Sequence, residues 1–276
     1  MKNPKVNILV LNWNGEKVLS KCIKSIKKSD YTNYSITIID NGSFDNSISE
    51  FINNKDIKII KINNNIGYAA GYNYAFSKLK SFNDKYYLIL NNDTIININT
   101  ISTLVNSIQK YGKNNIFGPR IINANNKKNW FCGGKINYIT GHPYHRGLNT
   151  ENSIISFKSS FTEYISGCCM LVSKDIINKL NGFNEKYSFY YEDVDLCIRA
   201  KKIDVSCVYI TSCSIEHLIS YSIGGRFSLL KFVKKIKSFI KFLYLNNNIF
   251  FFLFYFIINL FLAPFFIMTY LFKKII

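Results

Sequence analysis

Val6-Asn7-Ile8-Leu9-Val10-Leu11, running straight into Asn12-Trp13-Asn14-Gly15, decides the fold. Three β-branched residues in a short apolar run predict a strand over 6–11, and the polar Asn/Gly cluster that follows predicts a turn at its carboxyl end. The same grammar recurs downstream. Strands are expected over 36–40, 57–62 and 86–91, the last carrying Tyr87-Leu88-Ile89-Leu90. Helices are expected between them over 16–28, 45–53 and 69–80; in the first, Val18, Cys22, Ile23 and Ile26 recur at helical spacing. Strand–helix alternation of this kind implies an α/β fold with a mostly parallel sheet covered by helices on both faces. Ligands of such sheets bind beyond the carboxyl ends of the strands. Those ends read Asn12-Trp13-Asn14-Gly15, Asp40-Asn41-Gly42-Ser43 and Asn91-Asn92-Asp93, so polar side chains converge on one edge.

The rest of the chain divides differently. Residues 118–161 contain GPR, CGG and GHPYHRG and predict loops with short strands. Ser173 caps an expected helix over 174–180 that stops at Gly182, and 192–201 and 205–210 predict a further helix and a late strand. From residue 232 on, Phe232, Val233, Ile236, Phe239, Ile240 and Leu243 fall at helical spacing, with lysines 231, 234, 235, 237 and 241 largely opposite: a basic amphipathic helix. Residues 249–272 then carry no charge. As a helix they would extend roughly 36 Å at about 1.5 Å per residue, enough for a hydrocarbon core of about 30 Å, although Asn259 and Pro264 leave a re-entrant or interfacial arrangement open. The expected division is therefore a domain over 1–225 and a membrane-associating helical tail over 226–276.

Composition narrows the partners. The chain of 276 residues is 48% hydrophobic, enough to bury a substantial core, and carries a net charge of +18. Such a balance favours an anionic partner. Six basic residues and no acid between Arg226 and Lys241, set beside the apolar tail, point to a membrane surface rather than to nucleic acid. The seven cysteines show no paired spacing, which suggests reduced thiols and a cytosolic domain; the apolar run at the start is too short for a secretory signal.

Four groups of residues carry chemistry. Asp40, at a strand end, can accept a hydrogen bond from a nucleobase or can serve its own Asn-Gly turn. Asp93, at another, suits a hard divalent cation bridging to a diphosphate. Glu192, Asp193 and Asp195 cluster at a helix start, where the dipole stabilises them and where a carboxylate can act as general base. Asn65-Ile66-Gly67-Tyr68-Ala69-Ala70-Gly71 brings small residues to a helix start, favourable for a diphosphate. His142 and His145 form an HxxH pair without a nearby acid or thiol; His217, near the expected edge of the site, is the better metal-ligand candidate.

In order and spacing these pieces resemble one family. LVLNWNG (9–15), IIDNGSFDNS (38–47), NNNIGYAAGYNYA (63–75), LILNNDT (88–94), the stretch 165–200 and the His217 region are together similar to family 2 glycosyltransferases of the GT-A fold, in their rhamnosyltransferase-like branch. The resemblance implies that Leu11 and Trp13 line a base pocket with Asp40 bonding the base. Asn65, Gly67 and Asn73 would lie near the nucleotide, and Asn91 and Asn92 with the nucleotide-sugar. Asp93 and His217 would hold Mg²⁺ or Mn²⁺, Asp193 would be the base and Glu192 would stand beside it near the acceptor. It further implies an inverting transfer from a UDP- or dTDP-sugar to a saccharide or lipid-linked acceptor in polysaccharide synthesis, at the cytoplasmic face of a membrane, with no nucleic acid as partner. The sequence departs from the family at Asn91-Asn92-Asp93, where a DxD motif carries two carboxylates.

Overall fold

A computed structural model describes residues 3–80, 84–151, 158–187, 190–218, 229–247 and 249–275; the side chains of 229–232 and 265–275 lie outside the description, as do Arg226 and the 225/226 boundary. The strand-forming runs become β1 (Val6–Asn12), β2 (Tyr34–Asn41), β3 (Ile57–Ile62) and β4 (Tyr86–Asn91), each within two residues of the expected bounds. They pair in parallel in the order β4-β1-β2-β3, with Leu11 level with Asn91 and Asn12 level with Asp40. The polar strand ends therefore stand side by side.

On the other flank the sheet continues as β10 (Ser160–Thr162), β12 (Ser206–His217), β6 (Asn115–Asn123) and β11 (Cys169–Ser173), which joins β4; β5 (Thr94–Ile96) adds to β12 and β7 (Asn129–Phe131) to β6. β11 runs antiparallel to β4, so the segment entering β11 lies against the exit of β4. A separate ribbon joins β8 (Gly134–Ile136) to β9 (Pro143–His145). The long β6 begins three residues before the 118–161 region expected to hold loops with short strands and runs into it, and β12 extends seven residues past its expected end by absorbing a register shift between Ile210 and Ser214.

Helices α1 (Leu19–Lys27), α2 (Tyr68–Lys78), α3 (Thr100–Tyr111), α4 (Lys174–Lys179) and α5 (Glu192–Lys201) cover the sheet; α3 was not among the expected elements. Ser173 caps α4 as expected, its hydroxyl accepting the amide of Ile176 at 3.2 Å. The expected helix over 45–53 reduces to one 3-10 turn, Ser49–Phe51. Asp45 explains this: its carboxylate accepts the amides of Glu16 and Ser47, a local bonding pattern that competes with helix. The core is the two faces of the sheet, with Ile8, Leu9, Ile38, Leu88, Phe117, Leu171 and Val208 buried.

Helices α6 (Leu229–Asn246) and α7 (Ile249–Ile275) follow. The apolar face expected of α6 is divided: Phe239 and Leu243, with Phe242, are buried on the domain, while Val233, Ile236 and Ile240 are exposed. Among the described residues no helix is long and apolar enough to cross a membrane.

Candidate active site

The β1–α1 corner is locked by amides. Nδ2 of Asn92 donates to Oδ1 of Asn12 at 2.8 Å, and Asn12 donates onward to the hydroxyls of Ser43 and Ser47. Gly15 closes over this network; a Cβ there would stand 2.2 Å from Asn12 Oδ1 and 2.4 Å from Asn92 Nδ2. Asn92 is thus a brace of the strand ends. Asn91 is half-buried, and its carbonyl accepts the hydroxyl of Thr94.

At the end of β2, Oδ1 of the buried Asp40 accepts the amide of Ser43 at 3.1 Å, so one oxygen serves the turn. Its neighbour Asn41 reaches the glycine-containing loop. Its amide donates to Oδ1 of Asn65 and to the carbonyl of Gly67, and its Oδ1 accepts the amide of Ile66. Asn65 in turn accepts the amide of Gly67, which takes φ 90° at the cap of α2, where only glycine sits without strain. Leu11 and Trp13 are half-buried at the exit of β1, with Leu11 Cδ1 packed where Gly71 carries no side chain. Asn73 has a different place. Its side chain accepts the amide of Phe183 and donates to that residue's carbonyl and to Glu185, pinning α2 to the loop before α5.

Asp93 and His217 come together by strand pairing: Thr94 of β5 is level with His217 of β12, and the amide of Leu218 donates to the carbonyl of Asp93. His217 Nε2 lies 3.2 Å from Oδ1 of Asp93. The pair is close but not aligned as a hydrogen bond: among the described residues Oδ1 of Asp93 has no hydrogen-bond partner, and neither has Nδ1 on the other side of the His217 ring. The ring of Trp130 stands edge-on to His217 with centroids 5.0 Å apart and to His145 at 4.3 Å. His145 bonds the carbonyl of Trp130, whereas His142 stacks on Phe239 at 3.7 Å, so the HxxH pair does not converge. Burial pushes both imidazoles down to about 4 and keeps them neutral.

Asp193 is reached from β11. Its Oδ2 accepts the amide of Gly167 at 2.8 Å and its Oδ1 that of Val194. Tyr68, at the start of α2, donates its hydroxyl to the carbonyl of the same Gly167 at 2.7 Å. Burial raises the carboxyl of Asp193 and the two amides oppose that rise. Glu192 beside it is pushed up to about 8 by burial and then by the charge of Asp193, and its Oε2 has no partner among the described residues. Tyr190 and Tyr191, both at φ 70°, hold the entry to α5 in a strained left-handed conformation of the kind that clusters at working sites. Cys168 lies between the two halves of the site: its thiol is pushed up by burial and next by the charge of Asp93, with Asp193 also contributing. Asp195 is set apart, paired to Arg199 at 2.7 Å.

Asp40, Asp93 and Asp193 therefore occupy one rim, linked through β2, β1, β4 and the entry to β11. Sequence reasoning did not single out Asn12, Asn41, Tyr68, Trp130 or Gly167. The Asp-Asn-Gly and Gly-Tyr strings held a local signal for Asn41 and Tyr68; nothing local marks Trp130 or Gly167.

Comparison with known proteins identifies the family and the fold. Residues 7–180 match the family model described as glycosyl transferase family 2, and the chain belongs to that family. A low-salt glycan biosynthesis hexosyltransferase of Haloferax volcanii is 23% identical over 78% of this chain and 66% of its own length. An N-acetylglucosaminyl-diphospho-decaprenol L-rhamnosyltransferase of Mycobacterium tuberculosis is 22% identical over 75% of this chain and 73% of its own. Among solved structures, GalNAc-T7 with UDP, GalNAc and Mn²⁺ superposes with a TM-score of 0.65 at 13% identity, covering 78% of this chain and 44% of that one. S. aureus TarS with UDP gives 0.52 at 15%, over 74% of this chain and 60% of that one. The fold is GT-A, as the resemblance implied. The chain spans about two thirds of the Haloferax relative.

Proposed function

We propose that the chain transfers a hexose from a UDP- or dTDP-sugar to a hydroxyl of a saccharide or lipid-linked saccharide, inverting the anomeric centre, at the cytoplasmic face of a membrane during surface-polysaccharide synthesis. The observation that supports it most is Asp193, held by two backbone amides at the rim that also carries Asp40 and Asp93. Its carboxylate is oriented, partly desolvated and raised, which suits a general base. Asp193 takes the proton of the acceptor hydroxyl as that oxygen forms its bond to the anomeric carbon. The bond from that carbon to the diphosphate oxygen breaks, and the diphosphate leaves with the electron pair. Glu192, neutral below about pH 8, has a proton to offer in a hydrogen bond to the acceptor.

Asp40 has one oxygen committed to its turn and the other left for a base N–H, and the Asn41–Asn65–Gly67 lattice shapes the loop at the start of α2 where a diphosphate would lie. Oδ1 of Asp93, without a hydrogen-bond partner among the described residues, and the Nε2 of His217 that faces it at 3.2 Å suit a divalent cation. Asp93 and His217 would hold Mg²⁺ or Mn²⁺, which when bound neutralises charge building on the departing diphosphate. One carboxylate and one imidazole leave the rest of the shell to phosphate and water.

Calorimetric titration of UDP-, dTDP- and GDP-sugars, each with and without Mn²⁺, tests the reading. Tight, Mn²⁺-strengthened binding of one donor with slow hydrolysis is expected; no binding of any nucleotide-sugar would remove it.

A further inference from the structure

Both tail helices carry an apolar stripe exposed to solvent. On α6, Val233, Ile236, Ile240 and Tyr244 fall at i, i+3, i+7 and i+11 and are all exposed. On α7, Phe250, Leu253, Phe254, Ile257, Leu260 and Phe261 form the matching stripe, with Phe250 72% and Phe261 81% exposed. Scattered exposed apolar residues need no explanation, but exposed stripes of this kind mark an interaction surface. Lys237 is exposed alongside the α6 stripe and Lys234 partly so, while the exposed Lys241 donates to the carbonyl of Lys186; residues 226–276 include eight basic residues and no acidic one.

The opposite sides of both helices are fastened to the domain. Tyr191, which precedes Glu192 and Asp193, packs its ring on Phe239 and Phe242 at 5.8 and 5.4 Å. Asn246 donates to the hydroxyl of Tyr187 and to Asp195. In the middle of α7, the amide of Asn259 donates to the carbonyl of Thr140 at 2.7 Å, and its Oδ1 lies 3.0 Å from Nε2 of His142. Tyr255 and Leu243 crowd the bare Cα of Gly141. A helix crossing a bilayer would carry its midpoint about 15 Å into hydrocarbon. Here that midpoint is hydrogen-bonded to a loop of the catalytic domain, whose backbone has no place at such depth.

We infer that α6 and α7 lie flat in the interface of an anionic leaflet, apolar stripes down and lysines at the headgroups, so that the site edge at Tyr191–Asp193 is held at the membrane surface. The surface geometry stands on these contacts alone. That the captured substrate is a lipid-linked saccharide, whose sugar sits at that height, rests on the transferase reading. A second copy of the chain is disfavoured as the occupant, because its lysine rows would meet these.

Flotation of the full chain with phosphatidylcholine vesicles, with and without phosphatidylglycerol, tests the inference. The protein is expected to float with the mixed vesicles, to lose about fivefold in affinity for each of Lys234 and Lys237 changed to Gln, and to be released by alkaline carbonate. Phe254→Asp with Phe261→Asp should abolish flotation while leaving thermal unfolding unchanged. Retention after carbonate would overturn the in-plane geometry. Failure to float, or a solution dimer that the double Asp variant dissociates, would overturn the lipid partner. Nucleotide-sugar binding followed in the same samples separates the two readings: a protein that floats but binds no donor overturns only the transferase reading, and one that binds donor but never floats overturns only this one.

Discussion

The amide of Gly167 donates to Oδ2 of Asp193 across 2.8 Å, joining the entry of β11 to the first turn of α5. β11 is an antiparallel neighbour of β4, so the position of the Asp193 carboxylate is referenced to the strand that delivers Asp93. An orienting contact of this kind fixes a carboxylate before substrate arrives, which matters because small misplacements of a reacting group are costly in rate.

Asp193→Asn is expected to lower transfer by about 10²–10⁴ while leaving nucleotide-sugar binding intact. One amide side chain cannot accept both the Gly167 and Val194 amides, so about 1–3 kcal/mol of stability should be lost as well. Single-turnover assays with calorimetry and thermal melts check this. Normal turnover by the variant would remove Asp193 from the role.

Gly167→Ala should damage the same arrangement from the other side. Its Cβ would stand 2.5 Å from the hydroxyl oxygen of Tyr68 and 3.3 Å from Cβ of Asp193. Turnover is expected to fall with little change in donor KM, and Tyr68→Phe in the same chain should recover part of the loss by removing the clashing oxygen. Steady-state kinetics of both variants decide; an unaffected single variant would mean that Tyr68 moves aside freely.

Asp93→Asn and His217→Gln are each expected to weaken Mn²⁺-dependent UDP binding by at least about tenfold. Binding measured in EDTA should change far less. Equal losses with and without the ion would place both residues on the nucleotide instead.

Glu192 sets one slope in the dependence of stability on pH. Its folded pKa of about 8 lies above the ordinary carboxyl value of 4.5, so the folded state holds a proton that the unfolded state has released between those values. Stability from this group is therefore complete below about 4.5 and declines as pH rises towards 8. Glu192→Gln is expected to raise the melting temperature by a few degrees at pH 8 and to have little effect at pH 4.5. Melts at the two pH values measure it, and equal shifts at both would contradict the raised pKa.

His142 and His145 set the opposite slope. Both are depressed from 6.5 to about 4, so the unfolded chain gains protons first on acidification, and the stability they contribute is lost as pH falls from 6.5 towards 4. Protonating His142 also loads charge onto its stack with Phe239 and its bond to Asn259. Replacement by Gln should flatten the melting profile below pH 6.5 and leave it unchanged at pH 8.

Much of the parallel half of the sheet was legible, because β1 through β4 are apolar runs punctuated by Asn, Asp and Gly, and each signal is complete within a few residues. The helix start at Glu192 and the cap at Ser173 were legible for the same reason. The expected helix over 45–53 failed because Asp45 turns its carboxylate onto the amides of Glu16 and Ser47, a competition that spacing does not reveal. β6 and α3 were missed: the first opens Asn115-Ile116-Phe117-Gly118-Pro119-Arg120, whose Gly-Pro pair reads as a turn, and the second is interleaved with polar residues.

By itself the amino-acid order determined the four parallel strands β1 to β4, which of their ends are polar, and that Asp40, Asp93 and Asp193 each terminate or open an element. Periods of 2 and 3.6 residues and capping patterns are local properties, readable without the fold. Only the tertiary structure decided that His217 meets Asp93, that Gly167 meets Asp193, that Asn73 turns to the 183–185 loop, and which face of α6 is covered. Those outcomes depend on strand order and on what packs against each helix. Two apolar faces with the same spacing look identical until a neighbour such as Tyr191 buries one of them.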